Sequence, residues 1–434
     1  MKIANLFLAV AVVALPGAAY GIASDSETDA DAVKCAELSA ANSSELAKSQ
    51  SAIAVFPYFA EQAVAYCTRA IDSAQLAPHA LANTLVLRGL WLRQRNLERA
   101  IADFDNAIRI DPQLAEAYFL RGFARLESRD LERAIADFDS VLKINPQETE
   151  AYSLRGFAWF QKGELKRAIA DFDAVIRIDP KNAEAYVRRG LAWYQQEQFD
   201  FAIADFNAAT RFNPRDALAY FNRAVAWEKK GDRERAIADY DSAIRIDPRL
   251  AEAYTNRGVI WDEKGELEKA VADFDAAIRI NPGAVEAYTN RGITFGEKGD
   301  IDRAVADFDA AIRVNPLYAD GYYNRGIAWE KKGDLDRALA DYDTAIRLNS
   351  RYADAYYHRG IVWERKGDLD RAVVDYDAVI RIDPRYSLAY FKRGALWRQK
   401  GHLDRAIADF AIAARLSGLG EQARPGPDAE AGGQ

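Results

Sequence analysis

Apolar and small residues recur along this chain at helical spacing, in two runs parted by a short polar break, and the pair of runs then repeats. In 319–352, ADGYYNRGIAWEKKGDLDRALADYDTAIRLNSRY, counting Ala319 as position 1, they fall at 3, 4, 8, 10 and 11, then at 17, 20, 21, 24, 27, 28 and 30. Both sets follow the i, i+3, i+4, i+7 spacing of one helical face, not the alternation of a strand. Shifting the stretch by 34 residues in either direction meets a near copy, and the match runs from about Ala82 to Leu416. A fixed period of this length predicts one supersecondary unit stacked on itself.

The break between the runs is Lys-Gly-Asp, as at Lys332, Gly333 and Asp334. Gly takes the left-handed conformation that ends the first helix, and Asp caps the second. Asp179-Pro180 and Asn315-Pro316 stop the second helix, whereas Ser350 replaces Pro in 319–352 and predicts a softer stop. Each helix has only about a dozen residues, too few to be stable alone. It must bury its apolar side against its partner and the next unit, so stability is a near-neighbour sum along the stack.

The unit resembles a tetratricopeptide repeat, with Tyr254, Gly258, Trp261, Ala270, Phe274, Ala277 and Pro282 at the places that family's pattern marks. The resemblance implies an all-α fold, a right-handed α-solenoid superhelix of about ten helix-turn-helix repeats. It also implies a concave groove lined by the first helices through positions 2, 5, 6, 9, 12 and 13. One departure is uniform: position 7 is Arg in all ten repeats, where the family usually has Leu, and position 23 is Asp in all ten. A half-buried Arg must be paired, so pairs such as Arg257–Asp273 are expected within each repeat.

Taken in order, residues 1–23 read as a signal peptide: Lys2, an apolar run from Ile3 to Leu15, then Pro16-Gly17 and small residues. No later stretch is long and apolar enough for a membrane helix. Residues 24–81 read as an N-terminal cap with a decayed repeat, Ala63, Cys67 and Ala70 standing at positions 20, 24 and 27. The two cysteines, Cys35 and Cys67, both lie here; in an exported chain they read most simply as one disulfide, the alternative being two buried thiols. Ten repeats occupy 82–420, the first one residue short, and the Pro/Gly-rich 421–434 reads as a disordered tail. The last repeat has Ala411 where eight of the ten have Asp, which suggests an apolar end.

The net charge is −8 and charges of both signs are finely mixed, with no basic stripe, which argues against a nucleic-acid surface. Three scattered His, and no metal spacing, phosphate loop or nucleophile motif, leave no enzyme and no cofactor to propose. D-F-D and D-Y-D recur, but their two Asp face different ways on a helix and form no carboxylate dyad. Seven of the eight Trp sit at position 11, where they are expected in the core between helices.

Groove positions carry the functional expectation. They are apolar early (Phe119, Phe157), carry Asn at position 6 in the middle (Asn222, Asn256, Asn290, Asn324), and are aromatic and mixed in charge late (Tyr323, Tyr357, Lys392). Asn both donates and accepts, so one per repeat suits the backbone of an extended peptide. Position 2 is mostly Glu or Asp, which would repel an acidic C-terminus and favours neutral or basic partners. The expectation is an exported, non-enzymatic scaffold that binds a protein or peptide, periplasmic in a Gram-negative bacterium and otherwise secreted. Alternatives are self-association through the C-terminal end, giving a homo-oligomer, and a glycan-binding or enzyme-accessory module.

Overall fold

The computed structural model describes residues 30–45 and 52–418; the stretch 1–23 expected to be a signal peptide and the stretch 421–434 expected to be a disordered tail lie outside them. Among the described residues the regular structure is entirely helical, in two compact units, Met1–Lys230 and Gly231–Gln434. The first unit holds α1 (Ala30–Glu45), α2 (Ala52–Asp72), α3 (Pro78–Leu92), α4 (Leu97–Ile110), α5 (Ala115–Glu127), α6 (Leu131–Ile144), α7 (Thr149–Gln161), α8 (Leu165–Ile178), α9 (Ala183–Gln195), α10 (Phe199–Phe212) and α11 (Ala217–Lys229). The second holds α12 (Arg233–Ile246), α13 (Ala251–Glu263), α14 (Leu267–Ile280), α15 (Val285–Glu297), α16 (Ile301–Val314), α17 (Ala319–Lys332), α18 (Leu335–Leu348), α19 (Ala353–Lys366), α20 (Leu369–Ile382), α21 (Ser387–Gln399) and α22 (Leu403–Leu416). Within each unit every helix packs on the next, and first helices also touch the first helix of the following repeat. This is the near-neighbour stack of an α-solenoid.

The turn chemistry explains the helix ends. Gly333 takes φ 86°, and the Asp334 side chain accepts a hydrogen bond from the Arg337 backbone N–H. Arg129 and Glu197 adopt the same left-handed turn without glycine. At the other end, Asp or Asn at position 31 accepts from the N–H two residues on, as Asn315 does from Leu317 at 3.1 Å. Asn349 makes the same bond to Arg351 at 3.1 Å, and α18 stops at Leu348 in register with its neighbours. The soft stop expected from Ser350 is therefore absent, because the Asn turn and not the proline ring sets the boundary.

The core repeats with the sequence. In the second unit Ala253, Ala270, Phe274 and Ala277 are fully buried, as are Ala355, Ala372, Tyr376 and Val379 three repeats later. A β-carbon on Gly258 would lie 2.7 Å from Cε1 of Phe274, so only glycine lets the two helices of that repeat close together. In the cap, Ala63, Cys67 and Ala70 are fully buried on α2, and a disulfide joins Cys35 of α1 to Cys67. That bond stands where the repeats pack a glycine under an aromatic ring.

The tryptophans differ from expectation. Position 10, not 11, supplies the buried side chain (Ala158, Ile260, Val362), while Trp159, Trp261 and Trp363 are half-buried. Each of these three Trp presses one face on the core, and a cation from position 19 covers the ring, as Arg167 does at 4.5 Å over Trp159 and Arg371 at 4.5 Å over Trp363; over Trp193 the position-19 residue is Phe201, at 5.1 Å.

Candidate functional site

The uniform Arg proves structural. Nε and Nη2 of Arg257 grip both oxygens of Asp273 at 2.8 and 2.6 Å, as expected within the repeat. Its Nη1 donates as well, to Asp241 at position 25 of the preceding repeat. The arrangement recurs with Asp139–Arg155–Asp171 and Asp275–Arg291–Asp307. Each guanidinium therefore rivets two repeats together and is spent on stacking, with about a fifth of its surface exposed, for example 18% for Arg257. The two carboxylates of each D-x-D thus serve two different arginines, which explains why they diverge on the helix.

Where the neighbour changes, the partner changes. Arg88 reaches Thr68 of the cap at 3.3 Å instead of a carboxylate, and Arg223 reaches Asn207 at 2.6 Å. Ala411, where the residue 16 positions on is Pro427 and not Arg, has lost the acid.

The first-helix face is what stacking leaves over. In the first unit it is largely closed: Phe119 and Phe157 are 5% and 8% exposed, packed in the core, so they offer a ligand little surface. This corrects their placement as open groove residues. The Nδ2 of Asn222 is buried there without a hydrogen-bond partner.

The second unit keeps more of this face polar and accessible, and its five position-6 side chains behave differently. Asn256 donates to the hydroxyl of Tyr240 at 3.1 Å. Asn290 is half-buried, and Asn324 folds back to donate to the Asp320 carbonyl at 2.8 Å. His358 meets Glu330, its Nδ1 lying 3.3 Å from Oε2. Lys392 donates to Glu364 at 3.1 Å.

A repeated device underlies these last contacts. Glu330, at position 12, accepts from the hydroxyl of Tyr342, at position 24, at 3.0 Å, and Glu364 accepts from Tyr376 in the same way. Position 6 of the following repeat then approaches that carboxylate. Burial would push the Glu330 carboxyl up, but hydrogen bonds from His358 and Tyr342 hold it below the ordinary range. Burial, with the glutamate beside it, drives the Tyr342 hydroxyl well up.

These glutamates were not singled out from the sequence, although a signal exists: the three repeats with Tyr at position 24 (Tyr240, Tyr342, Tyr376) all have Glu at position 12 (Glu228, Glu330, Glu364), and no repeat with Phe there does.

Tyr323 and Tyr357 line the same wall half-buried. Tyr323 stacks obliquely on Tyr352 at 4.9 Å and meets His358 edge-on at 5.7 Å, while Tyr357 lies 5.2 Å from Tyr386. Two of the position-2 acids are partly used: Asp354 accepts from the Tyr386 hydroxyl at 2.9 Å, and Asp320 from Tyr352. Glu252 and Glu286 stay exposed. No group of residues able to hold a metal ion occurs among the described residues, and no helix among them is long and apolar enough to cross a membrane.

Solved structures similar to this chain include MamA, at 27% identity over 38% of this chain and 96% of that one, TM-score 0.36. YrrB, described as a tetratricopeptide repeat protein with an unusual peptide-binding site, shares 26% identity over 42% of this chain and 95% of its own, TM-score 0.36. A tetratricopeptide repeat protein from Parabacteroides merdae shares 21% over 60% of this chain and 99% of its own, TM-score 0.46. No curated protein matches. One tetratricopeptide repeat family model matches residues 187–251, 229–285, 289–343 and 330–387, and a second matches 87–156 and 126–187. With repeat models matched along most of its length, and Gly–aromatic packing in nine of its ten repeats, the chain belongs to the tetratricopeptide repeat family.

Proposed function

We propose that this protein is a non-enzymatic scaffold that holds an extended peptide, or an extended segment of a protein, along the first-helix face. One observation carries the reading. In the second unit the side chains at position 6, Asn256, Asn290, Asn324, His358 and Lys392, stand half-buried once per repeat, while their neighbours at positions 3 and 8 are sealed in the core. A row of donors and acceptors at a fixed repeat suits a ligand that is itself a repeating backbone. Tyr323 and Tyr357 add aromatic walls at which side chains of the ligand dock. Exposed Glu252 and Glu286 favour a neutral or basic partner. The rings of Trp159, Trp261 and Trp363, covered by Arg and Lys, offer no open stacking surface, which counts against the glycan reading.

We place the scaffold in an exported compartment, periplasmic in a Gram-negative cell and otherwise secreted. The support is Lys2 with its following apolar run, together with a buried disulfide of the kind that oxidising compartments keep.

A photo-activated cross-linker placed at Asn290, and separately at the exposed Glu268, tests the groove in the producing cell. The expected result is a discrete protein adduct from position 290 alone, lost when Asn222, Asn256, Asn290 and Asn324 are replaced together by Ala with helicity intact, the linker then sitting at Tyr357. Identical adducts from both positions, or capture unchanged in the fourfold variant, would remove the Asn row from the reading.

A further inference from the structure

The last repeat ends on a face that its own sequence has not made polar. Interior repeats bury position 21 under the next repeat: Val305, Leu339 and Val373 are 8%, 7% and 7% exposed. In α22 the equivalent Ile407 is 66% exposed, and Leu403, at position 17, is 59% exposed. Phe391 of α21, 54% exposed, packs on Phe410 at 5.6 Å. A terminal repeat ordinarily needs a polar outer side to stay soluble. Leu388 of α21 is 56% exposed as well, while Leu317 and Phe201 lie on other repeats, where scattered residues of that kind need no partner.

We propose that this face is the contact between two copies of the chain, made by α22 packing antiparallel on α22 of the second copy about a two-fold axis. Three observations choose that occupant. The stripe along α22 is large at one end and small at the other, Leu403 and Ile407 followed by Ala411 and Ala414. Only the antiparallel arrangement sets the large half on the small half twice over, Ile407 against Ala411 and Leu403 against Ala414, which is what an isologous interface requires.

Charge follows the same symmetry. Asp404 in the first turn and Arg415 in the last are exposed and have no ion pair among the described residues. The antiparallel arrangement brings Asp404 to Arg415 of the second copy at both ends of the helix pair.

The third observation is the substitution at position 25. Interior repeats carry Asp there to receive the Arg of a following repeat, as Asp377 receives Arg393 at 2.5 Å. Ala411 cannot receive one, so the face rejects a further repeat and accepts an uncharged surface like itself. Residues 419–434 bring one large apolar side chain, Leu419, and two prolines, Pro425 and Pro427, too little to cover the stripe.

Light scattering on the full purified chain over a range up to tens of micromolar tests the proposal. The expected mass is twice that of the chain, falling to one chain in Ile407→Glu with unchanged circular dichroism. Asp404→Arg should weaken the dimer at least tenfold, and Asp404→Arg combined with Arg415→Asp should restore it. Both substitutions are on exposed residues, so folding does not confound them. A monomer throughout the range overturns the proposal. So does a dimer indifferent to Ile407→Glu, a charge swap that restores nothing, or a wild-type monomer that dimerises only when 419–434 are removed.

Discussion

Arg359 Nη1 donates to Asp343 at 2.6 Å across the seam between two repeats, while its other two nitrogens hold Asp375 at 2.9 and 2.6 Å. One planar fork thus ties the second helix of one repeat to both helices of the next. Lys could not do this, since its ammonium is a single point with no fork. The sequence separation is 16 residues on each side, so the clamp is as regular as the period itself.

The two carboxylates in the clamp are not equivalent, and their removal separates them. Asp375 is 2% exposed and Asp343 is 59% exposed. Arg359→Ala strands a buried carboxylate and is expected to cost about 3–5 kcal/mol. Asp343→Ala leaves the buried pair intact and should cost under about 1 kcal/mol, as exposed pairs do. Urea denaturation measures both; equal losses would mean that the contact across the seam matters as much as the buried pair.

Most of the fold was legible because duplication writes each physical requirement many times. The 34-residue period follows from laying copies side by side, and the Gly-Asp turn and the Arg257–Asp273 pair lie within a single copy. What one repeat cannot show is its neighbour. Asp241 looks like a surface residue until the next Arg arrives, and Glu330 becomes a buried acceptor only when Tyr342 and His358 close over it. The groove residues were least legible for the same reason: Phe119 and Tyr323 share position 5, yet the first lies in the core and the second remains half-buried on the wall.

Glycine at two nearby helical positions should respond with opposite signs. A β-carbon at Gly258 would meet the Phe274 ring at 2.7 Å, so Gly258→Ala is expected to destabilise by about 1–3 kcal/mol through overpacking. At Gly296 the nearest atom is the Ala304 β-carbon at 4.0 Å, and Gly296→Ala should stabilise by about 0.5–1 kcal/mol by restricting the unfolded chain. Thermal melts of the two variants should bracket the parent; a gain at Gly258 would contradict the close helix approach.

Arg129 offers a third backbone test. Its φ of 63° is one that glycine adopts freely, and the equivalent residue in other repeats is Gly163 or Gly265. Arg129→Gly is expected to stabilise by about 1 kcal/mol, since the relief of left-handed strain exceeds the added freedom of the unfolded chain. A loss measured in urea would show that the Arg129 side chain contributes more than its backbone costs.

The disulfide should act locally. Cys35 and Cys67 are fully buried, and closing a loop of this length stabilises by roughly 3–4 kcal/mol on the chain-entropy account. Energy in a stack of repeats passes chiefly between neighbours. Replacing both cysteines by Ser should therefore accelerate hydrogen exchange in α1 to α3 and leave α17 to α20 unchanged. Uniform acceleration along the chain would show one cooperative block instead.

Two glutamates on the first-helix face should give opposite pH dependence. The Glu330 carboxyl lies below its ordinary range: burial opposes this, but hydrogen bonds from His358 and Tyr342, with Arg365 nearby, prevail. Its contribution is complete above the ordinary glutamate value of about 4.3 and is lost as pH falls through the depressed one. Glu150 is raised, chiefly by burial, with Glu184 and Glu148 adding to it against Arg188. A raised carboxyl contributes below the ordinary value and loses that contribution as pH rises through its own. At neutral pH, Glu330→Gln should therefore destabilise and Glu150→Gln should stabilise, and both differences from the parent should shrink towards zero on acidification. The difference curves, from urea midpoints taken between pH 3 and pH 7, isolate each group from the other carboxylates. Curves of the same sign would show that hydrogen bonding at Glu330 does not outweigh its burial.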